Sequence, residues 1–342
     1  MKTSINIFVP VYNEIDSFDK IEKNVRRTLK VFPNSYFFFY DNASTDGTSQ
    51  CLLQLQHKYP GHICVRINPT NIGFQKNLAK IAELPKNDMI LILGANDQIY
   101  TPGLRKLHSI LIADSFDVIV CNICYIKGTR RPKLLRNEEE RVLSPFSTDN
   151  MDEYFAKNGT IPNGIMQYVI HPRHAHLFGV YDYLMSPQVG VFLNVFPGKI
   201  CYLPPPPVAL VNRVESSGWR SSKESILETH FILAKDVIEL AWSSYKRHRM
   251  SLRTLLFIRF SYTHSVMFLM YRLVLMKQYW GEWHLKGSKR CGFLVHIWKG
   301  IFAMTPYKWM NLFFVAAVAV HFLVYKVQTL FGLRMPTPRK SR

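Results

Sequence analysis

The chain has 342 residues, 48% of them apolar, 13% aromatic and 20% charged, with 43 Lys and Arg against 24 Asp and Glu. That balance excludes a disordered chain, a collagen-like repeat and a small disulfide scaffold, and the length allows one large domain or two ordinary ones. Six cysteines without a paired framework point to a reducing compartment. The apolar run that begins at Ile5 is too short for a secretion signal, so none is expected.

The charge is unevenly placed. Residues 245–342 hold 17 basic side chains and one acidic one (Glu282), a net of +16, whereas the preceding 244 residues hold 26 basic and 23 acidic ones. The same tail carries 19 of the 46 aromatic residues. Basic plus aromatic suits either nucleic acid or an anionic membrane surface.

In chain order, Ile5–Val11, Tyr36–Tyr40, Ile63–Ile67, Met89–Leu93 and Val118–Cys121 have the short, β-branched or aromatic character of strands bounded by turn residues. Phe18–Val31, Thr48–Tyr59, Phe74–Leu84 and Leu104–Ala113 lie between them with helical spacing. This alternation predicts an α/β fold with a doubly wound, mostly parallel sheet, whose ligands bind at the carboxyl ends of the strands. Polar or Gly-containing segments follow four strands in turn: Tyr12-Asn13-Glu14, Asp41 to Thr48, Asn71 to Asn77, and Gly94 to Ile99. Turns alone explain one or two such segments; four at one sheet edge favour a ligand crevice.

Residues 128–165 lack periodicity and read as a surface excursion. Apolar runs resume at Met166–Ile170, Val189–Val195 and Ile200–Leu203, Pro204–Pro207 breaks the chain, and residues 223–244 form an amphipathic helix. Three regions follow from this reading: 1–125, 126–244 and the basic tail 245–342.

The segments IFVPVYNE, DNASTDGT, NIGFQKN and LILGANDQIYTPGL together resemble the nucleotide-sugar domain of family-2 glycosyltransferases, closest in character to the abequosyltransferase type that builds O-antigen and capsule. The resemblance covers residues 4–105 well and 160–215 loosely. It implies a GT-A fold, a nucleoside-diphosphate sugar donor, a divalent cation (Mg²⁺ or Mn²⁺) and inversion at the anomeric carbon. By this resemblance Pro10, Tyr12 and Glu14 wall the base and accept from the ribose, Asp41 bonds base or ribose with Asn42 beside it, and Asn71, Gly73 and Asn77 lie beneath the donor. Asp46, in a helix-capping segment, is expected to be structural.

Asp97 falls at the family's acidic metal position. The residue before it is Asn96, which can offer an oxygen but no charge, so a site with a single carboxylate is expected. The family's catalytic Glu-Asp pair would fall near Pro187-Gln188; Asp182 is the carboxylate nearby and the candidate base. Arg213, Trp219 and Arg220 either close over the diphosphate and acceptor or pack on the core. His171, His174 and His176 read as a polar loop, and Cys121 and Cys124 as buried thiols.

In the tail, Leu252–Met276 spaces cations through apolar residues. Trp309–Tyr325 is seventeen residues long, the lower limit for a spanning helix, with aromatic residues at both ends. The favoured reading is helices lying in the interface of an anionic leaflet, with a single span and a buried hairpin as alternatives. Long apolar runs between the charges argue against nucleic acid. A polyprenyl-diphosphate-linked glycan acceptor at the cytoplasmic face of the inner membrane fits the family context. The rival reading is a non-catalytic relative, either a membrane-bound scaffold or a sugar-nucleotide-binding module in a polysaccharide assembly complex, which the Asn96 substitution and the missing Glu-Asp pair keep open.

Overall fold

The computed structural model describes residues 4–126, 133–134, 146–158, 161–162, 164–184, 186–203, 205–212 and 223–258. The chain divides into two compact units at Val214/Glu215. In the first, the described elements are β1 (Asn6–Val11), α1 (Phe18–Val31), β2 (Tyr36–Asp41), α2 (Thr48–Lys58), β3 (Ile63–Ile67), α3 (Phe74–Ala79), β4 (Ile90–Ile92), β5 (Gln98–Ile99), α4 (Thr101–Ala113) and β6 (Val118–Cys121). They continue with β7 (Ile123–Ile126), β8 (Lys133–Leu134), β9 (Phe146–Thr148), α5 (Met151–Asn158), β10 (Tyr168–Ile170), α6 (Leu177–Val180), α7 (Pro187–Val195), β11 (Ile200–Leu203) and β12 (Ala209–Asn212). The second unit contains α8 (Lys223–Lys246).

Local sequence accounts for the early elements. In α1, Phe18, Ile21, Val25 and Leu29 form one apolar stripe, with Asp19 in the first turn and Lys30 in the last to complement the helix dipole. Helix α4 opens with Pro102 in its first turn. A Cβ on its Gly103 would lie 2.0 Å from the Pro207 carbonyl oxygen, so only glycine lets the helix approach that segment.

The large sheet runs β3-β2-β1-β4-β10-β6-β11-β9, and a small sheet runs β5-β12-β7-β8. Strands β3, β2, β1 and β4 are parallel throughout. Beyond them the strict alternation of the sequence fails: β6 does not pair with β4, because β10 lies antiparallel between the two. Three residues are too few to declare a strand by periodicity. Tyr168–Ile170 becomes one because neighbours on both sides pair with it. The helix expected over 74–84 turns 3-10 at Lys80, and the apolar run within Pro187–Val195 is a helix buried on nearly all sides.

The sheet separates two apolar layers. Ile7, Val9, Phe37, Phe39, Leu91, Leu93, Ile119, Cys121 and Ile123 face α1, α2 and α4. The opposite face carries Phe8, Tyr40, Ile92, Val120, Tyr168 and Tyr202. Tyr168 meets Phe192 of α7 edge-on there, their ring centroids 6.3 Å apart.

At the amino edge of β6, buried Asp117 holds three segments together. It accepts hydrogen bonds from Arg173 Nε at 2.8 Å, from the Lys199 amide at 2.8 Å, and from His174 Nε2. Burial alone would raise this carboxyl, but the hydrogen bonds from His174, Arg173 and Lys199 outweigh it and hold its pKa below the usual value. A depressed carboxylate contributes stability above its unfolded value, near 3.9, and loses it as pH falls through the folded value. Asp117→Asn is expected to cost about 1–3 kcal/mol at neutral pH and to flatten the acid limb of a stability-versus-pH curve followed by urea unfolding.

Candidate functional site at the carboxyl edge of the sheet

The loops after β1 and β2 satisfy one another. The amides of Asn13, Glu14 and Ile15 donate to Ser44 Oγ (2.8 Å), Thr48 Oγ1 (3.0 Å) and Asp46 Oδ2 (3.1 Å), while the Thr45 amide returns a bond to Asn13 Oδ1 (2.8 Å). Asp46 also accepts from the Thr48 amide and hydroxyl, so it stitches two loops as a structural residue. Tyr12 is 47% exposed at this rim, with Pro10 half-buried beneath it. Burial raises the Glu14 carboxyl above its ordinary value, and a hydrogen bond from the Ser17 hydroxyl (2.8 Å) opposes the rise.

Asp41 is fully buried at the end of β2. One carboxylate oxygen accepts from the Ser44 amide and hydroxyl, the other from the Ser49 hydroxyl. Asn42 gives its amide to Asn71 Oδ1 at 2.7 Å and accepts from Asn68 Nδ2 (3.1 Å) and the Ile72 amide (3.0 Å). Asn77 accepts from Asn68 (2.9 Å) and donates to the Tyr40 carbonyl (2.9 Å). These amides form a neutral network that fixes the β3–α3 loop to the end of β2. Gly73, at φ +85°, reverses the chain where an L side chain would be strained, and it leaves Phe74 45% exposed beside the network.

Asp97 is the centre of the site. It is 2% exposed, and its carboxylate occupies the space above Gly94: a Cβ there would sit 2.4 Å from Asp97 Oδ2 and 3.6 Å from Asn96 Oδ1. A carboxylate oxygen and an amide oxygen thus converge on one cradle, a donor set that suits a hard divalent cation. Among the described residues no group of three or more His, Cys, Asp or Glu could hold a metal by itself. The loop is pinned from behind by Asn24 of α1, whose amide donates to the Asp97 carbonyl (2.8 Å) and accepts from the Ile99 amide (2.9 Å).

Asp182 lies in the turn between α6 and α7, half-buried and without a hydrogen bond to any described residue. The turn is anchored by Tyr181, whose ring lies against Gly190 of α7 so closely that a Cβ there would be 2.6 Å from it. Helix α7 begins at Pro187 and runs back toward β11. Its first turn, with Gln188 buried, therefore faces the carboxyl edge, and no carboxylate stands there. His171, His174 and His176 sit at the other edge, around Asp117 and Arg173. Cys121 and Cys124 are buried, and burial pushes the Cys121 thiol up. Arg213, Trp219 and Arg220 lie outside the described residues.

Sequence reasoning missed Ser49, Asn68, Asn24 and the role of Gly94. For Asn24 a signal existed: it interrupts the apolar stripe of α1 between Ile21 and Val25, where a polar residue needs a buried partner.

The sequence pattern described as Glycosyl transferase family 2 matches residues 6–174. The abequosyltransferase RfbV of Salmonella typhimurium is 24% identical over 171 residues, which is 48% of this chain and 50% of that protein, so the match spans about half of the relative's length. In three dimensions the chain is similar to the mannosyltransferase PcManGT of Pyrobaculum calidifontis, solved with GDP-Man and Mn²⁺, with a TM-score of 0.53 at 12% identity over 96% of this chain and 87% of the other. It is also similar to S. aureus TarS 1-349 in complex with UDP-GlcNAc, with a TM-score of 0.48 at 17% identity over 69% of this chain and 67% of the other. At these identities the structural likeness is one of fold.

Asn24→Ala is expected to lower stability by about 2 kcal/mol, because the Ile99 amide and Asp97 carbonyl lose their side-chain partner. Urea titration should show a reduced midpoint with an unchanged slope.

Proposed function

Residues 6–174 belong to glycosyl transferase family 2, and from that premise we propose that the chain transfers a sugar from a nucleoside-diphosphate donor to a lipid-linked glycan in surface-polysaccharide synthesis. The observation that carries this reading is the Asp97 carboxylate above Gly94, at the carboxyl edge of β4 and next to the loops stitched after β1, β2 and β3. In the proposed arrangement the exposed Tyr12 and the Glu14 carboxyl receive base and ribose. Asp41 and the asparagine network hold the floor of that half-site.

A divalent cation held by Asp97 and Asn96 would neutralise charge gathering on the departing diphosphate. The remaining steps belong to this chain's residues. Asp182 accepts the proton of the acceptor hydroxyl as its oxygen bonds to the anomeric carbon and the bond to the diphosphate breaks on the opposite side, which inverts that centre. The absence of a carboxylate at the start of α7 is why this role goes to the preceding turn.

The acceptor side of the proposal rests on the second unit. Helix α8 ends at Lys246, followed by His248 in the left-handed region and the Arg249 amide bonded to the Ser244 carbonyl. Trp242 is 48% and Leu252 51% exposed, and Lys246 Nζ lies 5.6 Å from the Trp242 ring centroid. Exposed apolar groups flanked by cations, ahead of a tail of strong positive charge, suit an anionic membrane surface. That surface would be the cytoplasmic face of the inner membrane, where a polyprenyl-diphosphate acceptor resides. Among the described residues no helix is long and apolar enough to cross a membrane, and Trp309–Tyr325 lies outside them.

Purified protein screened against UDP-, GDP-, dTDP- and CDP-sugars is expected to release nucleoside diphosphate from one donor with Mn²⁺ or Mg²⁺, and to stop when EDTA is added. Asp97→Asn should slow that release by on the order of 100-fold. A wild-type protein that binds no donor by calorimetry would instead support the non-catalytic scaffold. The full chain should also float with phosphatidylglycerol-containing vesicles and not with phosphatidylcholine alone. Trp242→Ala combined with Lys246→Ala should weaken that flotation, and added salt should weaken it further.

A further inference from the structure

Asn122 stands between β6 and β7, at the carboxyl edge of the large sheet, where the chain leaves one sheet for the other. Its backbone is fully engaged: the amide donates to the Leu203 carbonyl (3.2 Å) and the carbonyl accepts from the Val208 amide (3.0 Å). Its side chain is 1% exposed, and neither its amide nitrogen nor its amide oxygen has a hydrogen-bond partner among the described residues. A buried, unpaired amide costs stability, whereas an apolar side chain of the same size at that position would not.

Its place in the fold gives the amide a purpose. Cys121 and Ile123 both face the α1, α2 and α4 layer, so alternation turns Asn122 to the opposite face. That is the face on which Asp97 covers Gly94 and against which α7 packs. Along the edge, β1 and β2 lie on one side of β4, and β6 lies two strands beyond it on the other. Two strand spacings are about 10 Å. With base and ribose over β2 and β1 and the diphosphate at Asp97, a sugar ring extending onward from the diphosphate arrives at the end of β6.

We propose that Asn122 is a specificity-determining contact for the transferred sugar. Its amide would offer one donor and one acceptor to ring hydroxyls, and the unpaired state without ligand is what that recognition costs. The inference rests on the glycosyltransferase reading above and adds to it the residue that reads the sugar.

The test uses the full chain with Asn122→Leu, which keeps the branched shape and removes the polarity, and Asn122→Ala as a second variant. The probes are UDP-N-acetylglucosamine, GDP-mannose, and dTDP- and CDP-linked deoxysugars, each beside its own nucleoside diphosphate, with Mn²⁺. The Leu variant is expected to melt about 2–6 °C higher than wild type without ligand. Both variants should bind the recognised nucleotide sugar about tenfold or more weakly while binding its nucleoside diphosphate as wild type does. A Leu variant that melts lower, or variants that bind nucleotide sugar and nucleoside diphosphate with wild-type affinity, would overturn the assignment and make Asn122 a structural residue satisfied by solvent. Equal weakening toward nucleotide sugar and nucleoside diphosphate would also overturn it. If wild type binds none of the probes while the Leu variant melts higher, the glycosyltransferase reading fails and the sugar assignment falls with it.

Discussion

Peptide groups at the carboxyl edge of a sheet have lost their strand partners and must find others. Here each loop takes them from the next. Ser44, Asp46 and Thr48 after β2 cap three successive amides after β1, and Asn42, Asn68 and Asn77 tie the loop after β3 to the end of β2. The result is a rim whose backbone is already paired before any ligand arrives. A site built this way pays its ordering entropy during folding, so little is left to lose on binding.

The chemistry at this rim is carried by amides more than by charges. Asp97 is the carboxylate that reaches the Gly94 cradle, and Asn96 supplies a neutral oxygen next to it. Asp41 lies deeper, with both oxygens taken by serine hydroxyls. In the proposed site a diphosphate would meet little repulsion, and a cation held by one carboxylate would leave coordination positions open to it.

The opposite edge has a mechanical task. Asp117 joins the start of β6 to the segments entering α6 and β11 through Arg173, His174 and Lys199. Helices α6 and α7 lie between those two segments in the chain, and the Tyr181 ring packs against Gly190 beside the turn that carries Asp182.

The first four strands and α1, α2 and α4 were legible in the sequence to within a few residues, because each is an amphipathic or β-branched run closed by turn chemistry. That the polar segments after those strands share one edge also followed, since parallel strands joined by helices must all end on the same side. The resemblance to family-2 glycosyltransferases rested on those segments. Other features were beyond any local pattern. Tyr168–Ile170 is too short to announce itself, and its antiparallel place between β4 and β6 exists only through pairing with residues nearly 50 positions away on one side and about 80 on the other. Asp41 and Asn122 look alike as polar residues at strand ends, yet among the described residues one is satisfied on both oxygens and the other on neither polar atom. Which residues end the strands, and the chemistry they carry, can be read from the order of amino acids. Which of them are paired emerges from the folded arrangement, because a hydrogen-bond partner is fixed by packing in space rather than by distance along the chain.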